Sequence, residues 1–512
     1  MILLYHECIL HVTRLNRCSS TVLMYDNTMK TVNILLIGVG PHARRIYMPA
    51  LSAFASNLPV RLLAAVDLKR QKDTIDAYLQ EQGYELEMLY LDSFDAATGI
   101  PDHAKATLDT LVKKFNIHGV VISTEPTVHK AYAEWALKNG LHILMDKPVS
   151  ARKGLSVNAS EARGLISDYD ELLDLYKTHQ QPSRSLLFSI NVQRRYDYGF
   201  DKVKELIAET THKFNVPITS MQIMHADGSW RFPNEVLTQE SHGLSDGFGK
   251  VSHSGYHLFD MAWQLYKAST VPGKQPDNME IFTSIFNPTG LDICINEDDY
   301  IRYFGDQYEK TGLDHQQYLD TVALYGEMDS FSVIRMMQGG VNICNISVNL
   351  LHSSFSRRSW AKPRPDLYKG NGRVKHQQFI IQQGPFQCIQ VHNYQSKDEH
   401  DIDNSNEFEV GGNNHFDIYV FRNVGMYGEG KAFTKISSQD LEKEVDKSGL
   451  TVENAKYRII REFIDFIMGK IDLHAVKSNI DTHEVPVKIM SGVCQSSAHS
   501  YSNKNRLIHI PL

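Results

Sequence analysis

Residues 32–43 read VNILLIGVGPHA, and they decide what the first half of this chain can be. The run from Val32 to Ile37 is continuously apolar and contains several β-branched residues, a pattern typical of a parallel strand buried on both faces. The letters GVGPHA follow at 38–43, and an amphipathic stretch begins at Ala43. This order predicts a strand, a tight glycine turn and a helix whose N-terminus faces the turn.

The glycine turn has the spacing G-x-G-x-x-A, which suits a dinucleotide. Gly38 allows the tight turn, Gly40 lets the backbone approach a pyrophosphate, and Ala43 lets the helix pack closely on the strand. The helix N-terminus adds unpaired N–H groups and the positive end of its dipole. The alternative is a glycine turn in another kind of α/β protein, with Asp67 solvated.

Asp67 follows the next predicted strand, at 60–66. Its carboxylate can accept hydrogen bonds from the adenosine ribose hydroxyls, which favours NAD as the cofactor. Lys69 and Arg70 lie just beyond it, and a cation there could pair with a 2′-phosphate. NADP therefore stays open as a second choice.

Predicted strands alternate with predicted helices up to Gln193, and the pattern of predicted elements changes after that. Buried strands at 119–123 and 142–145 flank a helix at 127–139, so we expect a parallel sheet with a last strand at 186–192. From Arg194 onward, alternating segments predict a large, mainly antiparallel open sheet with helices on one face. The segments are 331–337, 341–351, 377–382, 386–392 and 417–422, and the helices include 255–266 and 452–468. The predicted fold class is α/β, with a Rossmann domain at 29–193 and a second α/β domain at 194–512.

The composition excludes several classes of protein. The 512 residues carry a net charge of -7, which argues against nucleic acid or an anionic membrane as the main partner. No apolar run is long enough to span a bilayer. Six cysteines without a C-x-x-C pair suggest neither a disulfide framework nor a structural zinc site, so we expect a cytoplasmic protein. Residues 1–28 show no periodicity and are expected to be a disordered extension or an artefact of start-site choice, with Met29 as the natural start.

Further segments resemble the glucose-fructose oxidoreductase, inositol dehydrogenase and rhizopine catabolism (Gfo/Idh/MocA) family. They are STEP at 123–126 with a histidine at 129, GLHILMDKP at 140–148, QRRY at 193–196 and HSGYHLFD at 253–260. The resemblance extends over nearly all of 29–512, through 459–470, 484–500 and 506–510 at the C-terminal end. Asp146 replaces the family's usual glutamate, and His253 replaces its usual acid.

The resemblance implies a cleft site between the two domains and an open sheet that forms a homodimer or homotetramer interface. Together with the glycine turn, it assigns these residues to the cofactor: Gly38, Gly40, Pro41, His42, Ala43, Asp67, Thr124, Glu125, Pro126, His129, Asp146 and Lys147. The resemblance also implies that the bond between Lys147 and Pro148 is often cis.

Three residues are the predicted catalytic groups. The resemblance puts Lys147 beside the nicotinamide, where an ammonium would bond the reacting oxygen and help carry its proton. His257 is the expected general acid/base, because imidazole exchanges protons near neutral pH. His253 could bind substrate oxygens, could shuttle the proton itself, or could mark a loss of dehydrogenase chemistry. The alternatives without a catalytic role are a surface lysine for Lys147 and a capping or packing histidine for His257.

The predicted substrate is a sugar-like small molecule, bound by residues of the second domain. The residues assigned to it are Arg195, Tyr196, Trp230, Arg231, His253 and His257. For Arg195 and Tyr196, an interdomain ion-pair cluster is an equal alternative. His242 could join His253 and His257 in a zinc set, but the resemblance explains His257 without a metal, and none is predicted.

These features predict an NAD(P)-dependent oxidoreductase acting on a hydroxyl or carbonyl of a sugar, polyol or related small molecule. A non-catalytic, NAD-binding regulatory protein on the same fold is the first alternative. A lyase, epimerase or glycosidase that uses transient oxidation with tightly held NAD is the second.

Overall fold

The computed structural model describes residues 31–181, 185–238, 243–362, 372–396, 414–444 and 452–512. The extension predicted at 1–28 lies outside these residues. In the described part of the chain, two sheets form the framework, one in each half. The expected α/β class, with a Rossmann-like sheet followed by a mainly antiparallel sheet, is confirmed.

The first sheet has six parallel strands in the order β3-β2-β1-β4-β5-β6. Its strands are β1 (Val32–Ile37), β2 (Val60–Leu68), β3 (Glu87–Leu91), β4 (Gly119–Ile122), β5 (His142–Asp146) and β6 (Phe188–Asn191). The intervening helices are α1 (Met48–Ala55), α2 (Lys72–Gln82), α3 (Asp102–Phe115), α4 (His129–Lys138) and α5 (Ala159–Thr178). A π-helical turn, Ala43–Tyr47, joins the glycine turn to α1. Because the strands are parallel, their carboxyl ends share one edge, where ligands bind in such sheets.

The second sheet has nine described strands in the order β14-β13-β12-β11-β7-β10-β9-β8-β15. Neighbouring strands are antiparallel except for β7 and β10. The strands are β7 (Ser220–Ala226), β8 (Asn278–Phe286), β9 (Asp329–Gln338), β10 (Val341–Leu351), β11 (Val374–Gln383), β12 (Gln387–Ser396), β13 (Asn414–Arg422), β14 (Phe433–Ile436) and β15 (Ile508–Pro511).

One face of the second sheet is covered by helices and the other is not. The helices of this half are α6 (Tyr198–Phe214), α7 (Pro233–Thr238), α8 (Tyr256–Ala268), α9 (Pro288–Cys294), α10 (Glu297–Phe304), α11 (His315–Val322), α12 (Val424–Tyr427), α13 (Ser438–Glu444), α14 (Val452–Ile467) and α15 (Glu484–Ser500). Helices α6, α8 and α15 pack on the covered face. The other face exposes apolar side chains such as Phe282, Phe331 and Val333.

Two helices of the C-terminal part tie the halves together. Helix α15 contacts both α5 and β8, so it lies between the two sheets. Helix α14 packs on the first sheet, where Ile460, Phe463 and Ile464 join the core formed by strand β1 and helix α1. The first half therefore takes part of one of its layers from residues near the end of the chain. None of the described helices combines the length and hydropathy needed to cross a bilayer.

Candidate active site

The glycine turn lies at the carboxyl edge of the first sheet, and its two glycines are needed for different reasons. Gly38 has φ +93°, and a Cβ there would lie 2.3 Å from the carbonyl oxygen of Ser123. Only glycine tolerates both the backbone conformation and that approach. At Gly40, a Cβ would meet no described atom within 4 Å. The protein itself does not require Gly40, whereas a pyrophosphate lying over the turn would.

Asp67 lies within β2, beside the glycine turn. Its carboxylate accepts the backbone N–H of Val39 at 2.7 Å and that of Leu68 at 2.7 Å. Lys69 is held by Asp92 at 2.7 Å on the surface, and Arg70 is exposed. The carboxylate is thus fixed at the end of the strand, where a ribose hydroxyl can add to its hydrogen bonds.

Asp146 lies at the end of β5 and connects three elements around the turn. Its Oδ1 accepts the hydroxyl of Tyr47 at 2.5 Å and the amide of Asn191 at 3.1 Å, and its Oδ2 accepts the hydroxyl of Ser123 at 2.7 Å. Burial opposes its ionisation, but His42 and these hydroxyls hold the pKa of Asp146 below its ordinary value. Both oxygens are used by protein donors, so the residue fixes the site's framework, and its direct contact with a cofactor stays a prediction.

His129 holds the segment that follows β4. Its Nδ1 lies 2.8 Å from the carbonyl oxygen of Pro148, and its Nε2 lies 3.1 Å from that of Thr124. The ring is fully buried, whereas Glu125 is exposed at the edge of the sheet. The imidazole therefore positions 124–126 against the Lys147–Pro148 bond, which is cis.

The side chain of Lys147 extends from the first half of the molecule to the second. Its Nζ donates a hydrogen bond to the carbonyl oxygen of His253, in the π-helical turn Val251–Gly255. Burial lowers the pKa of Lys147 to about 8. The His253 ring is half-buried, with Nδ1 3.1 Å from the hydroxyl of Ser254. The ammonium group thus contacts the second half one helical turn before His257.

His257 begins the buried face of α8. Its side chain is 8% exposed, and its Nδ1 is buried without a hydrogen-bond partner among the described residues. Burial, followed by the charges of Arg194 and Lys147, holds the pKa of His257 well below 6.5. The ring is therefore neutral at physiological pH, with one nitrogen left for a ligand. The structure brings the predicted catalytic residues Lys147, His253 and His257 together.

Arg195 and Tyr196 face the interior instead of the cleft. Arg195 pairs with Asp260 at 2.5 Å and also bonds Thr482 at 2.6 Å, and its side chain is 3% exposed. The hydroxyl of Tyr196 bonds Glu462 of α14. Every nitrogen of the Arg195 guanidinium has a protein partner, so the ion-pair alternative replaces the substrate-binding prediction for Arg195. For Tyr196, the buried hydrogen bond to Glu462 replaces it.

Trp230 and Arg231 line a cavity of about 200 Å³ together with Ser353, Ser354 and Ser356. The indole N–H of Trp230 bonds the hydroxyl of Tyr300 at 2.9 Å. Lys147, His253 and His257 are not among the residues lining this cavity. Substrate binding by Trp230 and Arg231 therefore stays a prediction. These two residues line a cavity that does not include the predicted catalytic residues.

His242 of the weighed zinc set lies outside the described residues. Within the part of the chain that the structure describes, no group of three or more His, Cys, Asp or Glu residues is arranged to hold a metal ion.

The structure adds residues that the site assignments did not include: Tyr47 and Asn191 around Asp146, and Arg194 and Lys375 near His257. Arg194 belongs to the motif QRRY at 193–196, but the motif does not connect it to His257. Lys375 lies two residues before the strand predicted at 377–382, and it shares a face with Gln377 because the observed strand begins at Val374.

Comparisons with known proteins agree with this architecture. Residues 32–167 match a family model described as oxidoreductase family, NAD-binding Rossmann fold (GFO_IDH_MocA). Two uncharacterized oxidoreductases of Schizosaccharomyces pombe are 28% identical over 163 residues and 31% identical over 164 residues. Each match covers 31% of this chain and 37% or 36% of the relative, so it spans little more than a third of those proteins.

Solved structures resemble the chain over most of its length. An oxidoreductase from Agrobacterium radiobacter, in complex with NAD+, L-tartaric acid and magnesium, has a TM-score of 0.54 at 11% identity, covering 94% of this chain and 98% of its own. An aldose-aldose oxidoreductase from Caulobacter crescentus has a TM-score of 0.52 at 12% identity, covering 94% and 100%. A scyllo-inositol dehydrogenase from Lactobacillus casei has a TM-score of 0.52 at 13% identity, covering 94% and 99%. At these identities the similarity establishes the fold. Over residues 32–167 the family resemblance found in the sequence is confirmed, and with it the NAD(P) assignment.

Proposed function

We propose that the protein transfers a hydride between the nicotinamide ring and a CH–OH or C=O carbon of a polyhydroxylated small molecule. Its residues 32–167 match the NAD-binding Rossmann domain of the Gfo/Idh/MocA oxidoreductase family. One observation carries the proposal. The ammonium of Lys147 contacts the turn that precedes His257, whose buried Nδ1 has no described partner.

The residues present fit a dinucleotide. The space above Gly40 is open, and the helix N-terminus at Pro41 faces it, which suits a pyrophosphate. Asp67 would take the adenosine ribose. We favour NAD over NADP because this carboxylate would repel a 2′-phosphate, and because Lys69 is already held by Asp92.

The two catalytic groups divide the proton chemistry between them. NAD(P)+, when bound, accepts the hydride that leaves the carbinol carbon. The hydroxyl proton must leave at the same time, and neutral His257 can accept it at Nδ1. Lys147, largely protonated at neutral pH, can donate a hydrogen bond to the reacting oxygen and stabilise the charge that develops on it. In the reductive direction the hydride and the proton both move the opposite way.

The names of two proteins with the same fold support the proposed class of substrate. Proteins of the same fold include an aldose-aldose oxidoreductase and a scyllo-inositol dehydrogenase, whose names denote polyhydroxylated substrates. We also propose a cytoplasmic protein whose copies associate through the uncovered face of the second sheet, where Phe282, Phe331 and Val333 are exposed.

The test uses the purified full chain. Nucleotide released from the protein is identified, and sugars and polyols are screened for NADH formation. In Lys147→Ala we expect kcat to fall by about 10²- to 10⁴-fold, the usual size of a lost proton-transfer group, with nucleotide still bound.

Lys114→Ala is the matched control for this experiment. Lys114 is exposed, pairs with Glu87 and lies at the amino edge of the same sheet, so its loss should leave turnover unchanged. Nucleotide bound without turnover on any substrate would contradict the proposal in favour of a regulatory protein. Product formed without net NADH would indicate transient oxidation instead.

A further inference from the structure

Four cationic side chains converge on the cleft beside His257. They are Lys147, Arg194, Lys375 and Lys456, which we call the cleft cations. Each is close enough for its charge to disfavour protonation of His257, after the larger effect of burial. They come from both halves of the molecule: the end of β5, the turn after β6, strand β11 and helix α14.

The acidic groups near the cleft do not balance these charges. Asp227 is buried, and its carboxylate is already held by Lys250, by Arg373 at 2.5 Å and by the hydroxyl of Ser254 at 3.2 Å. Asp197 caps the first turn of α6, through the N–H of Gly199 at 2.9 Å.

Of the other nearby acids, Asp260 is paired with Arg195, whereas Asp146 and Glu125 act on Lys147 from the first half of the molecule. Of the cleft cations, Lys147, Arg194 and Lys375 form no ion pair within 4 Å in the described part of the chain. The local excess of positive charge therefore lies around Arg194 and Lys375.

The guanidinium of Arg194 is fixed in an orientation that suits the binding of a ligand. Its Nε donates to the amide oxygen of Gln377 at 2.9 Å, which fixes one edge of the guanidinium. The side chain is 6% exposed, and its Nη1 is buried without a hydrogen-bond partner among the described residues. A buried guanidinium donor left without an acceptor costs free energy unless a ligand supplies one.

Strand β11 places a second cation beside the first. Lys375 lies two residues before Gln377, so both side chains project from the same face of the strand. Among the described residues Lys375 makes neither a hydrogen bond nor an ion pair, and its side chain is half-buried. Burial, followed by the charges of Arg373 and Arg194, lowers the pKa of Lys375 well below its ordinary value, so an anion beside it would favour its charged form.

We propose that the substrate carries an anionic group, a carboxylate or a phosphate, which Arg194 and Lys375 bind next to the carbon that is oxidised near Lys147 and His257. The proposal rests on the proposed function and adds the charge of its substrate. The cofactor's pyrophosphate does not account for these cations, because it belongs at the glycine turn, whereas Arg194 is tied to Gln377 in the second sheet.

An anion at this position would also help the chemistry. Oxidation of a hydroxyl leaves a proton on His257, and an imidazolium surrounded by the cleft cations is unfavourable. A substrate anion between Arg194 and Lys375 offsets that repulsion. The same group would therefore serve binding and proton transfer together.

The test measures binding of matched neutral and anionic probes to the NAD+-loaded full chain by calorimetry. The probes are D-glucose, D-glucuronate, D-glucose 6-phosphate and inorganic phosphate. We expect the anionic probes to bind at least about 10-fold more tightly than glucose. The two organic anions then distinguish a carboxylate site from a phosphate site.

Two variants assign the preference to its residues. Arg194→Gln and Lys375→Met should each weaken the anionic probes about 10- to 100-fold and leave D-glucose within about 2-fold, because a hydrogen bond to a charged group is lost. Arg194→Lys, which keeps the charge, should recover part of the affinity. Lys114→Gln removes a surface cation at the opposite edge and should change nothing.

Several outcomes would overturn the proposal: D-glucose bound as tightly as the anions, no binding of any anionic probe, or an effect of Arg194→Gln on NAD+ alone. NADH formation separates the two proposals. Turnover only with neutral sugars and polyols would leave the proposed function standing and remove this inference. Anion binding that depends on Arg194, without NADH from any substrate, would support this inference and contradict the proposed function.

Discussion

Lys147 and His257 keep different charge states at the same pH, although both are buried in the same cleft. Burial lowers the pKa of Lys147 to about 8, so the ammonium form still predominates at pH 7. Burial and neighbouring cations hold the pKa of His257 well below 6.5, so its ring is neutral. An ammonium group and a neutral imidazole thus coexist in one cleft without a shared hydrogen bond, as the proposed proton chemistry requires.

This pairing predicts a one-sided pH profile for substrate oxidation. We expect kcat/KM to be flat from pH 6.5 upward and to fall as the pH rises through about 8, because Lys147 loses its proton there. In Lys147→Arg the alkaline fall should disappear, since arginine keeps its charge throughout this range. Initial rates across buffers of constant ionic strength measure the profile. An acidic limb with a midpoint near 6.5 would contradict the charge state given to His257.

Whether the role of a residue could be predicted depends on how far away in the sequence its contact partner lies. Lys147 and His257 could be predicted because short motifs mark them. Arg195 carried an equally clear motif, but its role depends on Asp260, which lies 65 positions away. Arg194 depends on Gln377, 183 positions away. Pairings over such separations are decided by how the two sheets face each other, and no local pattern records that.

The glycine turn allows a sharp comparison between two neighbouring glycines. In Gly40→Ala the new methyl group would meet no described atom, so the free energy of unfolding should stay within about 0.5 kcal/mol. The methyl would occupy the place of the pyrophosphate, and NAD affinity should fall by at least about 10-fold. Thermal unfolding with and without NAD, together with calorimetric titration, measures both quantities.

Gly38→Ala serves as the contrasting variant. There the methyl would lie 2.3 Å from a backbone oxygen, at a φ of +93°. This change should lower stability by more than 1 kcal/mol as well as weaken NAD binding. Equal loss of stability in the two variants would show that Gly40 is needed for folding and not for the cofactor.

Several of the long elements could be predicted from periodicity alone. The segment 341–351 coincides with β10, and 452–468 comes within one residue of α14. Periodicity did not predict β3, β7 or β8, the longer helices α2, α3 and α6, or the three short helices α9, α10 and α11. Strand β3 lies at the edge of its sheet and is only partly buried, so it lacks the continuous apolar run of a central strand. Short helices between strands depend on their capping residues and on tertiary contacts more than on periodicity.

At the scale of the whole molecule, helix α14 makes the first half dependent on the end of the chain. Phe463 is fully buried between α14 and the first sheet, where a Cβ on Gly119 would lie 2.8 Å from its ring. Phe463→Ala should cost about 3–5 kcal/mol of stability, as is usual for a large aromatic residue removed from a core. Because the cavity lies under the nucleotide-binding sheet, saturating NAD should restore part of the lost stability.

Chemical denaturation with and without NAD measures this effect, and Ile293→Ala, at an 81% exposed position of α9, is the control, with little expected change. We further expect both halves to unfold in one transition, because α15 and α14 bridge them. Two separate transitions, with only the second affected by Phe463→Ala, would contradict the role assigned to α14.

The position of α14 also has a consequence for synthesis on the ribosome. The six strands of the first sheet are complete once Asn191 has been translated, and helices α1 and α2 already cover part of one face, but the remainder is covered by α14, which begins at Val452. At about 5–20 residues per second, the nascent sheet waits on the order of tens of seconds with this part of the apolar face uncovered. Nascent chains should therefore attract chaperones during this interval, and the ability to retain NAD should be acquired only as translation finishes.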